Sequence, residues 1–113
     1  MRVISQDGKS DVPYEHYTIW YYKDRYLDIC RIACDCGETD YRGLADYSTE
    51  AKAIKAMEML REQYARIEII KSLASGTCEH MEELLNPKEF KDILKKYINM
   101  EVFQFPQDDE IEV

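Results

Sequence analysis

The sequence predicts an α+β fold: a curled antiparallel β-sheet of about five strands, with a long helix and a second helix packed on one face. Three observations predict it. Short runs rich in tyrosine and β-branched residues fill the first half of the chain, divided by turn-forming pairs. One apolar stripe with mostly three- and four-residue steps follows, from about Thr49 to Leu73. The stretch Asn86-Pro87-Lys88-Glu89 then carries the marks of a second helix start: an N-cap, a proline at the first helical position and a glutamate to close a capping box. At 113 residues the chain suits one hydrophobic core and leaves no room for two.

Arg2 to Ser5 reads as a short strand, and Asp7-Gly8 favours the tight reversal that brings Ser10 to Val12 back against it. Pro13 marks a strand edge or bend. Tyr14 to Lys23 holds four of the nine tyrosines and the single tryptophan, a density that argues for a strand. Alternation sets Tyr17, Ile19 and Tyr21 on one face and Thr18, Trp20 and Tyr22 on the other. Asp24-Arg25 is a turn. Tyr26 to Cys34 is the next strand, with Cys30, Ile32 and Cys34 on one side. A polar loop over Asp35 to Tyr41 leads to a short strand, Arg42 to Tyr47.

Ser48 is placed to cap the long helix, and Glu50 sits where the helix dipole favours an anion. Ala53, Ile54, Met57, Leu60, Tyr64, Ile67 and Ile70 form the stripe, and Gly76 is a natural stop. Phe90, Ile93, Leu94, Tyr97 and Ile98 give the second helix its apolar face. Glu101 to Phe105 is the last strand. The chain thus divides into one domain, 1–105, and an acidic tail, 106–113.

Fifteen bases against 23 acids leave a net charge of −8, which repels nucleic acid and anionic membranes at long range. Half of the excess lies beyond Phe105, in Asp108, Asp109, Glu110 and Glu112. That tail reads as a frayed, solvated end, or as a phosphate mimic competing for a basic groove. No apolar run is long enough to span a bilayer and no signal-peptide stretch opens the chain, so a cytoplasmic location is expected.

Cys34, Cys36, Cys78 and His80 offer three sulfurs and one nitrogen for zinc, but a single intervening residue in each pair is poor chelate spacing, and buried or free thiols are the simpler reading. Neither a phosphate-binding glycine loop nor a hydrolase or metalloprotease motif occurs, and His16 and His80 stand without a nucleophile. No enzyme activity and no cofactor are expected. A binding surface is the better candidate: Trp20, Tyr22, Lys23 and Arg25 at one strand end, with Tyr41 and Arg42 nearby. Aromatic faces stack on bases, and arginine forks hold phosphate oxygens. A small sheet with apolar groups on both faces also suggests a homo-oligomer.

Three stretches carry a resemblance. They are Met1-Arg2-Val3-Ile4-Ser5-Gln6-Asp7-Gly8 with Asp11-Val12-Pro13-Tyr14-Glu15, then Tyr47-Ser48-Thr49-Glu50 through Ala56-Met57-Glu58-Met59-Leu60-Arg61, and Val102-Phe103-Gln104-Phe105-Pro106-Gln107-Asp108-Asp109-Glu110. Together they resemble a large group of small proteins encoded by bacteriophages and prophages. The resemblance leaves out the cysteine-bearing strand and the second helix, and it transfers no residue roles. It implies a setting: small phage domains of this kind often counter host defence, some as sponges for a nucleotide immune signal, others as acidic anti-CRISPR proteins. The expectation is a non-enzymatic counter-defence protein that sequesters a small nucleotide signal, with an acidic inhibitor of a host defence protein as the alternative.

Overall fold

A computed structural model describes residues 1–35, 37, 40–84, 88, 92, 95–96 and 99–113; over 73–84 it describes the backbone alone. The fold is α+β, with two three-stranded sheets and one long helix. The strands are β1 (Arg2–Ile4), β2 (Asp11–Pro13), β3 (Ile19–Asp24), β4 (Ile29–Asp35), β5 (Tyr41–Tyr47) and β6 (Val102–Gln104); the helix α1 is Glu50–Leu84.

Instead of one curled sheet of about five strands, the strands form two sheets, ordered β2-β1-β6 and β3-β4-β5. The physical reason lies at Leu44. Ile32 pairs with Ala45 and Ala33 with Gly43, so Leu44 is an extra residue that bulges from β5. Its carbonyl accepts the Gln6 amide at 2.7 Å. A bulge twists its strand locally, and the Asp7-Gly8 reversal carries the other partner away at once. The two sheets therefore meet at a point and form no ladder there. The first sheet is also not wholly antiparallel, because β6 returns parallel to β1.

The opening hairpin folds as its sequence dictates. The Ser5 Oγ donates to Asp7 Oδ1 at 2.6 Å and accepts the Ser10 amide at 2.9 Å, while Asp7 Oδ1 also accepts the Lys9 amide. Gly8 takes φ +76°, a left-handed conformation open to glycine. The third strand starts later than its composition suggests. Residues Tyr14–His16 make a turn of 3-10 helix, leaving His16 exposed, and β3 begins at Ile19. The hairpin turn is likewise longer than Asp24-Arg25. It runs over residues 25–28, with Asp24 Oδ1 accepting the Tyr26 and Leu27 amides and Asp28 at φ +50°.

Thr49, not Ser48, caps α1, since its Oγ1 accepts the Lys52 amide at 3.2 Å. Gly76 does not stop the helix, whose backbone continues to Leu84. A mid-helix glycine costs about 1 kcal/mol against alanine, which flanking turns of helix-compatible residues can outweigh. The buried stripe is Ala53, Ala56, Leu60 and Ile67, with Met57 and Tyr64 half-buried; Ile54 is exposed. Two alanines at the sheet let the helix approach closely. The stripe shares one core with Cys30, Ile32, Cys34, Tyr47, Phe103 and Phe105. Most of the expected second helix, 86–99, lies outside the described residues.

The three stretches that carry the resemblance come together at Pro106. Its carbonyl accepts the Tyr47 hydroxyl at 2.8 Å and the Gln6 Nε2 at 3.1 Å. Gln107 Nε2 donates back to the Gln6 carbonyl at 2.8 Å, and the Asp46 amide donates to Gln6 Oε1 at 3.1 Å. Asp108 accepts the Ser48 amide at 2.7 Å and the Lys52 Nζ at 3.2 Å. The last acidic residues are thus not a frayed end throughout: a 3-10 turn, Asp108–Glu110, closes with a capping box from Gln107, and Ile111 is buried.

Candidate functional site

In an antiparallel pair, directly opposed residues project from the same face of the sheet. Trp20 lies opposite Ala33 and Tyr22 opposite Arg31; across the next pairing Arg31 faces Asp46, Ala33 faces Gly43 and Asp35 faces Tyr41. Trp20, Tyr22, Arg31, Tyr41 and Asp46 therefore share one face of the β3-β4-β5 sheet. The other face, with Cys30, Ile32 and Cys34, lies in the core with α1.

Tyr41 is the centre of the aromatic group. Its ring lies 6.1 Å from Trp20, tilted at 59°, and 5.9 Å from Tyr22, edge-on at 87°; neither pair is stacked in parallel. Such contacts hold the rings at set angles to one another. Tyr41 is 57% exposed, and Trp20 and Tyr22 are half-buried. The Tyr22 hydroxyl, 3.5 Å from that of Tyr41, raises the Tyr41 hydroxyl above its usual range.

Beside the rings, Arg31 donates from Nε and Nη2 to the two carboxylate oxygens of Asp46, at 2.7 and 3.2 Å. That fork holds the guanidinium flat across the sheet. The aliphatic stem of Arg31 lies over Gly43, where a Cβ would sit 3.4 Å from Arg31 Cδ, in ordinary contact. Asp46, then Tyr22, stabilise the charged guanidinium and push its pKa up. A shallow pocket of about 250 Å³ adjoins the pair, lined by Gln6, Asp7, Arg31, Gly43, Leu44, Ala45 and Asp46.

Of the six residues singled out from the sequence, the structure joins three: Trp20, Tyr22 and Tyr41. Lys23 lies opposite Cys30 and Arg42 opposite Cys34, so alternation sends both bases to the other face. Arg25 stands in the hairpin turn, beyond the strand. The cation that does share the aromatic face is Arg31, which the sequence reading passed over, as it did Asp46. The signal was the pairing register, which needs the turn length between β3 and β4.

On the core side, Lys23, Asp28, Ile29, Cys30, Ser48, Thr49 and Glu50 line a second pocket of about 230 Å³. Burial, then the Glu50 charge, pushes the Cys30 thiol up, away from thiolate. For the zinc quartet, Cys36 lies outside the described residues and Cys78 and His80 are described as helix backbone alone; Cys34 is buried in β4. Among the described residues no group of three or more metal-ligating side chains occurs, and no helix is long and apolar enough to cross a membrane.

Fold and site together define an α+β protein with an aromatic sheet face bordered by one arginine–carboxylate pair. The chain matches no protein-family model, no curated protein and no solved structure.

Proposed function

We propose that the protein is a non-enzymatic binding module that takes a small nucleotide signal by its base, on the face of Trp20, Tyr22 and Tyr41, and sequesters it. The setting is the one its resemblance implies, counter-defence by a phage in the host cytoplasm. The observation that carries this reading is the grouping of three rings around Tyr41 on one sheet face. An aromatic platform contributes roughly 1–3 kcal/mol per stacked base. The lone pairs of Asp46 not used by Arg31 accept from ring N–H and amino groups, and the Arg31 N–H groups not used by Asp46 donate to ring nitrogens and carbonyls.

The placement of the other cations shapes the reading. Lys23 and Arg42 face away, and the chain carries −8 overall, so phosphate is not the group gripped. Binding by the base then depends little on salt, unlike binding through phosphates.

Native mass spectrometry of protein purified from phage-infected cells tests the proposal. The expected spectrum shows a retained nucleotide, released on heating with its mass unchanged. A chemically altered nucleotide would point to an enzyme, and no retained mass after incubation with nucleotide extracts would overturn the sponge.

The acidic-inhibitor reading rests on Asp109, Glu110 and Glu112, which are exposed, since Asp108 is engaged with Ser48 and Lys52. Truncation after Phe105 would also remove Pro106 from the core contacts. Neutralising Asp109, Glu110 and Glu112 together is the cleaner test: unchanged counter-defence activity removes this alternative.

A further inference from the structure

A sheet edge exposes a row of unpaired amides and carbonyls, and proteins usually close or blunt it. Among the described residues the two sheets have four edges, and three of them are managed. The β2 edge is three residues long, ends in Pro13 and carries the Arg2–Asp11 ion pair at its side. The β6 edge is also three residues long, and the Gln63 side chain donates to its Val102 carbonyl at 2.9 Å. The β5 edge is met by Gln6, whose amide donates to Leu44 and whose Oε1 accepts from Asp46. The fourth edge, β3, is six residues long, and among the described residues no hydrogen bond reaches its outer side.

Four exposed apolar groups lie along the same strand and its tip. Tyr21 is 38% exposed in mid-strand, Tyr17 37% just before it, and Tyr26 97% and Leu27 60% at the hairpin tip just after it. Only Lys23 and Asp24, at the tip end, are charged within the strand, so Ile19 to Tyr22 present an uncharged run.

We propose that β3 pairs antiparallel with β3 of a second copy across a two-fold axis at Tyr21. The occupant is a second copy because the edge complements itself. A two-fold axis at Tyr21 sets Tyr21 against Tyr21, Ile19 against Lys23 and Trp20 against Tyr22 of the mate. No like charges oppose each other; the two Trp20–Tyr22 pairs fall on one face and the Tyr21 pair on the other. The same rotation carries each exposed tip, with Tyr26 and Leu27, to the start of the mate's strand, where Tyr17 is exposed.

Backbone parity agrees with this register. The Asp35 amide donates to the Thr18 carbonyl, so Thr18 turns inward to β4. By alternation the polar backbone of Ile19, Tyr21 and Lys23 then points outward, and these are the residues that the register pairs. The product is one continuous six-stranded sheet, in which two Trp20–Tyr22–Tyr41 groups form a single aromatic surface.

Sedimentation equilibrium and oxidative cross-linking of the full chain test the dimer. Wild-type protein is expected at twice its 13.4 kDa chain mass at micromolar concentration. Tyr21→Pro removes one outward amide, a change tolerated at an open edge, and is expected to give a folded monomer. Tyr21→Lys places two like charges across the axis and is expected to do the same, should the proline variant fail to fold. Tyr21→Cys is expected to form an intermolecular disulfide that wild-type protein lacks, since directly opposed residues lie within disulfide reach. A monomeric wild type, a folded Tyr21→Lys dimer, or no cross-link through Cys at position 21 would overturn the proposal. The readouts are mass and cross-link, so this proposal and the base-binding proposal fail separately.

Discussion

Around Pro106, the polar groups of Gln6, Tyr47, Gln107 and Asp108 all turn toward other parts of the same chain. On the outer face of β3-β4-β5, Trp20 and Tyr22 each meet the ring of Tyr41, one tilted and one edge-on, and Tyr41 is left open to solvent. The first region is a knot that ties both chain ends to the start of α1. The second is a platform whose parts are oriented but not used up. Residues of the knot should therefore govern stability, and residues of the platform should govern binding.

The comparison breaks most visibly at Phe105, fully buried and edge-on to Phe103 at 5.3 Å. Phe105→Ala should lower unfolding free energy by about 3–5 kcal/mol in a urea titration. A loss below about 1 kcal/mol would mean that the chain end is not part of the core.

Asp108 comes next. The Ser48 amide first, and its hydroxyl and Lys52 after it, hold the carboxyl below its ordinary 3.8. A carboxyl lowered by folding adds stability above its unfolded value, and that stability is lost as pH falls through the lower folded value. Asp108→Asn should therefore cost about 1 kcal/mol at neutral pH, discounted for a carboxylate that is 40% exposed. The deficit relative to wild type should close below about pH 4. A deficit independent of pH would assign the loss to shape instead of charge.

On the platform the order reverses. Trp20→Ala should change unfolding free energy by about 1 kcal/mol or less, while weakening base binding about tenfold or more. Lys23→Ala and Arg42→Ala, on the opposite face, should leave base affinity within about twofold. A large loss from either would return the phosphate-gripping surface to consideration.

Much of this contrast was legible in the sequence, and the divide follows physical range. The Asp7-Gly8 reversal, the pairing of β1 with β2 and the alternation of Trp20 with Tyr22 depend on neighbours two to ten residues away. What escaped depends on distant partners. Ser48 looks like a cap until Asp108, sixty residues on, takes its amide and hydroxyl and leaves the role to Thr49. The tail looks solvated until Gln6 and Tyr47 claim the Pro106 carbonyl. The platform was half-read for the same reason. The rings could be placed by composition, but Arg31 joins them through a register set by a four-residue turn. Lys23, next to Tyr22 in the chain, is separated from it by the thickness of the sheet.

Trp20 is the only tryptophan in the chain, so the platform carries its own reporter. The most direct test of the account is a fluorescence titration of the protein with adenosine and guanosine monophosphates, at low and high salt, alongside Tyr41→Ala. The account predicts saturable quenching of Trp20, nearly insensitive to salt, and weakened severalfold in Tyr41→Ala at an unchanged unfolding midpoint. Absence of quenching up to millimolar nucleotide, or quenching that disappears at high salt and ignores Tyr41→Ala, would contradict it.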